Sequence, residues 1–113
     1  MVLLLLLPFL LCACTKSTKE EITFSSWGSV TEVGILDKII KNYENENPNV
    51  KINFMHVPQN YFQKIHLLFA SNQAPDVLFI NNLYLPIYSN KLEPLGDLVD
   101  KSEFYSKSLE AMS

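Results

Sequence analysis

From Glu21 onward the chain switches between two hydrophobic periods. Ile22-Thr23-Phe24-Ser25-Ser26-Trp27 is rich in β-forming residues and stops at Gly28, which predicts a first strand. Val33, Leu36, Ile39, Ile40 and Tyr43 then recur at helical spacing, and Ser29-x-x-Glu32 ahead of them has the form of a capping box. A helix from about Val30 to Asn45 is therefore expected, broken by Asn47-Pro48-Asn49. Val50, Ile52 and Phe54 alternate with Lys51 and Asn53 up to Val57-Pro58, the pattern of a second strand. Asn60-x-x-Gln63 offers another cap, followed by Tyr61 or Phe62, Ile65, Leu68 and Phe69 as the apolar face of a second helix ending near Ser71. After the turn 72–76, the unbroken run Val77-Leu78-Phe79-Ile80 predicts a central parallel strand covered on both faces. A short helical stretch from Leu83 to Ser89, a loop to Pro94 and a last helical segment from Leu95 complete the pattern.

Strands separated by helices of this length build right-handed βαβ units, so the fold class expected is α/β with a βαβαβ parallel sheet. In open sheets of this kind, ligands sit beyond the carboxyl ends of the strands, near the point where strand order reverses. If the first strand lies between the other two, that rule selects Ser26 to Ser29, Pro58 to Tyr61 and Asn81 to Tyr84.

The opening segment obeys a different logic. Thirteen of its first fourteen residues are apolar, too short a run for a spanning helix and the right length for the core of a secretory signal. Basic residues are missing ahead of that run, which places the expected start codon further upstream. The segment closes as Leu11-Cys12-Ala13-Cys14, an aliphatic residue three before a cysteine with a small residue next to it, as in a bacterial lipobox. Cys14 fits as the lipidated residue, whereas Cys12 has Leu11 where a small residue belongs. The alternative, a C-x-C metal or redox pair, would need further ligands, and no third cysteine or nearby histidine follows. The expected organisation is a lipoprotein signal peptide over residues 1–13, a lipidated cysteine and polar tether over 14–21, and a binding-domain portion over 22–113.

Composition narrows the chemistry. The net charge is −3, lysines form no cluster and arginine is absent, so neither a nucleic-acid surface nor a bidentate guanidinium site is expected. Ten asparagines remain to meet a polar ligand, together with hydroxyls and aromatic faces. His56 and His66 lack metal-ligand spacing and read as surface or packing residues, so no metal and no cofactor are expected. No nucleophile elbow, phosphate loop or zinc-protease motif occurs, and Glu44 and Glu46 lie in a polar helix end. An enzyme is not expected.

Five motifs in order resemble the N-terminal lobe of a bacterial extracellular solute-binding protein of family 1, the maltose-binding-protein-like group that serves ABC importers. They are the lipobox; Thr23-Phe24-Ser25-Ser26-Trp27-Gly28-Ser29; the helix end Tyr43-Glu44-Asn45-Glu46-Asn47-Pro48-Asn49-Val50-Lys51-Ile52; Ala74-Pro75-Asp76-Val77; and Lys91-Leu92-Glu93-Pro94-Leu95. The resemblance covers about residues 11 to 110. It implies part of the N-terminal lobe of a type II periplasmic-binding-protein-like fold, in a lipoprotein held to the cell membrane through Cys14 and facing the periplasm or the extracellular side. It also implies capture of a sugar or oligosaccharide, closure by a hinge, and delivery to ABC permease subunits. Members of the family are several times longer, so the chain is expected to be the N-terminal portion of a longer protein. A small surface lipoprotein with a structural or interaction role and no solute binding is the competing expectation.

Sugars suit the residues at hand, because a ring stacks on the apolar face of a pyranose while amides and hydroxyls meet its hydroxyl groups. Trp27 is the leading stacking candidate, against a core role. Ser29 is a candidate ligand donor, against helix capping. Asn81 and Asn82 leave the third strand, where the family often places a ligand-contacting polar residue; turn chemistry is their alternative. Tyr84 offers a second ring. Gln59 and Tyr61 are not expected in the site, and Asp76 reads as a structural turn residue.

Lipidation at Cys14 is directly testable. A bacterium expressing the chain in labelled palmitate is expected to label it, and Cys14→Ser is expected to abolish the label and leave the precursor unprocessed; label retained in that variant would overturn the assignment.

Overall fold

The computed structural model describes residues 18–110; the apolar segment 1–13 and Cys14 lie outside them. Strand β1 (Glu20–Ser26) leads to helix α1 (Val30–Glu46), β2 (Val50–His56), helix α2 (Tyr61–Ala70) and β3 (Val77–Leu78). Helix α3 (Leu85–Tyr88), three short 3-10 turns and α4 (Ser106–Glu110) follow. The sheet is parallel in the order β2-β1-β3, so β1 is central, with Phe24 opposite both Phe54 and Val77. The α/β class and βαβαβ connectivity expected from hydrophobic periodicity are those observed.

Side chains alternate across the central strand and divide the structure into two layers. On one face Ser25 lies between Met55 and Leu78. Both neighbours pack against the core cluster of Tyr61, Ile65 and Leu68 from α2 and Tyr88 from α3. Ile65 is fully buried, a burial worth about 1.5–3 kcal/mol. On the other face Ile22, Phe24, Ile52 and Val77 meet Ile39, Ile40 and Tyr43 of α1 across an open apolar groove of about 270 Å³. No residue of α1 is fully buried.

Side chains complete the backbone pairing where strands stop. The N–H of Ile52, on the outer edge of β2, donates to Glu44 Oε1 at 2.8 Å, and Lys51 Nζ lies 3.0 Å from the same oxygen. The end of α1 thus occupies a donor that would otherwise stand free at a sheet edge. Ahead of β3, Asp76 Oδ2 accepts from the N–H of Thr23 at 2.8 Å and supplies a rung that the short third strand does not.

The structure corrects several boundaries. Strand β1 starts two residues earlier than expected and ends at Ser26, which leaves Trp27 in the loop. Only Val77 and Leu78 of the apolar run form β3, and it lies at the edge of the described sheet, with Val77 half exposed. An apolar run reports burial, and aromatic packing of Phe79 accounts for that here as well as a ladder does. Asn60 makes no side-chain cap; it adopts a left-handed conformation (φ 52°), and its carbonyl accepts from Lys64 N–H. The expected helix from Leu83 shortens to Leu85–Tyr88, because Asn81 bonds the backbone N–H groups before it as a turn. The segment from Leu95 splits into 3-10 turns, the second capped by the Asp100 carboxylate on Ser102 N–H.

Hydrogen bonds from Ile52 N–H, and then from Lys51, hold the Glu44 carboxyl below the ordinary glutamate value. A depressed folded-state pKa contributes stability above the unfolded-state value, which is lost as pH falls through the folded-state value. Glu44→Gln is therefore expected to lower the midpoint of thermal unfolding at neutral pH, with the difference from wild type closing in acid. A pH-independent difference would show that the carboxylate charge plays no part.

Candidate functional site

All three strands run parallel, so the segments after Ser26, His56 and Leu78 emerge at one edge of the sheet. The chain must turn sharply from β1 into α1, and Gly28 (φ 135°) makes that turn in a region closed to ordinary side chains. A Cβ at Gly28 would also stand 3.2 Å from Glu32 Cβ. His56, at the end of β2, holds the loop by bonding the Gly28 carbonyl through Nε2 at 2.9 Å.

The turn leaves Trp27 half-buried in an aromatic cluster. Its ring meets Tyr61 (4.9 Å between centroids) and Phe79 (5.4 Å) edge to face, and Phe62 (5.6 Å) at a tilt. Phe62 in turn stacks on Tyr84 at 3.6 Å with the rings 5° from parallel. Trp27, Phe62 and Tyr84 thus form a row contributed by the β1–α1 loop, the first turn of α2 and the approach to α3. Tyr61 lies beneath it, its hydroxyl donating to the Ser25 carbonyl at 3.1 Å. Burial pushes its phenol above the ordinary value. Tyr61 supports the row as part of the core.

The polar candidates sit at the same edge with much of their hydrogen-bonding capacity spent. The Ser29 hydroxyl donates to Glu32 Oε2 at 2.8 Å and accepts from Glu32 N–H, while Ser29 N–H donates to the same carboxylate at 2.7 Å. This is the reciprocal capping box of α1, and the backbone bond followed by the hydroxyl holds Glu32 below the ordinary glutamate value. Asn81 Oδ1 accepts from the N–H groups of Leu83 and Tyr84 at 3.1 and 3.2 Å, which leaves its amide nitrogen for another partner. Asn82 is exposed beside it. The structure therefore brings Trp27 and Tyr84 together through Phe62, places Asn81 and Asn82 at the same edge, and engages Ser29 in capping.

Two residues of this edge carry more than their sequence pattern disclosed. Phe62 entered only as part of a helix face, although its place in the first turn after a parallel strand marks it for the ligand edge. His56 read as surface or packing, and its bond to Gly28 depends on a loop 28 residues earlier. Among the described residues, no group of three or more His, Cys, Asp or Glu could hold a metal ion, and no helix is long and apolar enough to cross a membrane.

The sequence profile of bacterial extracellular solute-binding proteins matches residues 27–111. The chain belongs to this family. A family 1 extracellular solute-binding protein from Alicyclobacillus acidocaldarius is similar over 82% of this chain and 25% of its own, at 25% identity and a TM-score of 0.74. An ABC substrate-binding protein from Listeria monocytogenes, solved with cycloalternan, is 29% identical over 80% of this chain and 24% of its own, with a TM-score of 0.62. A periplasmic oligogalacturonide-binding protein from Yersinia enterocolitica, solved with saturated digalacturonic acid, shares the fold at 20% identity and a TM-score of 0.73, over 82% of this chain and 25% of its own. The chain spans about a quarter of the length of these solved solute-binding proteins.

Removing an N-terminal cap of this type costs about 0.5–2 kcal/mol. Ser29→Ala is expected to destabilise the fold by that amount in denaturant unfolding, and Ser29→Asp to restore most of it; an unchanged midpoint in Ser29→Ala would remove the capping role.

Proposed function

We propose that this chain supplies one wall of the sugar-binding cleft in the substrate-binding lipoprotein of an ABC importer. The aromatic row Trp27-Phe62-Tyr84 at the carboxyl edge of the sheet carries this reading. Flat rings are suited to the apolar faces of pyranoses, and the free amide of Asn81, with Asn82, is suited to their hydroxyls. The cycloalternan complex of the Listeria relative supports a carbohydrate ligand. No arginine is present to pair with an anionic ligand, which favours a neutral sugar.

In this reading the protein binds and releases its ligand without changing it. A second lobe closes over the sugar by a hinge, since a ligand drives closure only through contacts that differ between open and closed states. The closed form delivers the sugar or oligosaccharide to the permease subunits, and acyl chains on Cys14 hold the protein at the outer side of the cell membrane.

Trp27 is the only tryptophan in the chain, so its fluorescence reports the site in a chimera with a tryptophan-free second lobe. Sugar titration is expected to change that fluorescence. Trp27→Ala is expected to weaken binding, measured by calorimetry, roughly tenfold or more, with Trp27→Phe intermediate. Unchanged affinity in Trp27→Ala would remove Trp27 from the site.

A further inference from the structure

Trp27 lies between two carbonyls that the end of β2 holds. The Ser26 carbonyl before it accepts from Val57 N–H at 2.9 Å, a backbone bond that any residue except proline could supply. The Gly28 carbonyl after it accepts from His56 Nε2 at 2.9 Å, a bond that depends on a side chain. A carbonyl oxygen only accepts, so Nε2 carries the proton. The same Gly28–Ser29 peptide is engaged at its other end, where Ser29 N–H donates to Glu32 Oε2 at 2.7 Å. One peptide plane is thus gripped by an imidazole at its oxygen and a carboxylate at its nitrogen. It adjoins a glycine, whose backbone adopts positive and negative φ with similar ease. Without both anchors, rotation at Gly28 (φ 135°) would release the plane and change how Trp27 sits on Tyr61, Phe62 and Phe79.

We infer that His56 is a positioning residue of the binding wall: acting with Glu32 on the Gly28–Ser29 peptide, it orients the Trp27 ring before the ligand arrives and raises affinity without touching the ligand. The inference rests on the sugar-binding reading above. Glu32 belongs to α1 through the capping box and His56 to β2, so the loop is tied to a helix on one side and to the sheet on the other. Ordering a loop at the moment of binding subtracts from affinity, and a loop held in advance avoids that cost. His56 spends its Nε2 donor on Gly28, which is why its effect passes through the loop.

The test is NMR and fluorescence of the full chain, first without ligand. Nitrogen shifts of wild-type His56 are expected to report the Nε2–H tautomer in the neutral ring. His56→Ala is expected to shift or broaden the Trp27 indole resonance and to increase quenching of Trp27 fluorescence by acrylamide, while the methyls of buried Ile65 stay in place. Glutamine sets its amide nitrogen as many bonds from the backbone as Nε2, and asparagine as many as Nδ1. His56→Gln is therefore expected to restore the Trp27 signals, and His56→Asn to leave them as in His56→Ala. Should His56→Ala not fold, the contrast between His56→Gln and His56→Asn decides. All forms are then titrated at millimolar concentrations with a panel of neutral sugars that includes cycloalternan. His56→Ala and His56→Asn are expected to bind about threefold or more weaker than wild type, the worth of one hydrogen bond, and His56→Gln to bind within about twofold of it. The Nδ1–H tautomer in wild type, or Trp27 signals unmoved in His56→Ala, would overturn the clamp. Moved Trp27 signals with unchanged affinity would make His56 purely structural and overturn the inference. Absence of binding by wild type to every sugar would overturn the sugar reading, and the inference with it, while the ligand-free signals still report the clamp.

Discussion

The Ser25 carbonyl is the point on which the rest of the structure turns. It accepts the Phe79 N–H at 2.9 Å, which binds the chain leaving β3 to the central strand, and the Tyr61 hydroxyl at 3.1 Å, which fixes the first turn of α2 above them. One acceptor with two lone pairs therefore sets the mutual position of three elements. Trp27 lies two residues after Ser25 and Phe62 follows Tyr61 directly, so their contact depends on where Tyr61 is held.

Close approach at this point requires small side chains. Ser25 and Ser26 have no exposed surface, and neither hydroxyl has a hydrogen-bond partner among the described residues. Burying a hydroxyl in that way costs on the order of 1–3 kcal/mol. The aromatic layers offset such costs: Phe24 packs against Phe54 on one side and Phe79 on the other, and Phe69 stacks on Tyr88. The α2 face is accordingly well covered. The α1 face leaves Ile39 and Tyr43 substantially exposed, although their helical spacing predicts an apolar, covered stripe.

Much of the candidate edge was legible in the chain because parallel topology makes it so. Once β1, β2 and β3 alternate with helices, the residues after each strand must emerge together, and Trp27, Asn81, Asn82 and Tyr84 belong to those segments. Ser29 shows the limit of such reasoning. Its sequence context suited a ligand contact and a cap equally, and the capping geometry depends on the backbone turn at Gly28 that brings Glu32 back to it. Phe62 escaped notice for the opposite reason, since helical periodicity treats every apolar position on a face as core.

Local chemistry in the sequence determined the main helices and strands, the capping box at Ser29 and the glycine turn at residue 28. These depend on residues near one another in the chain, so periodicity and turn chemistry expose them. Tertiary structure alone decided that β1 is central, that Asp76 bonds Thr23 across the sheet, and that Trp27, Phe62 and Tyr84 share one row. Each of these depends on contacts between residues far apart in sequence, and a side chain's neighbours across the fold are set only when the elements pack.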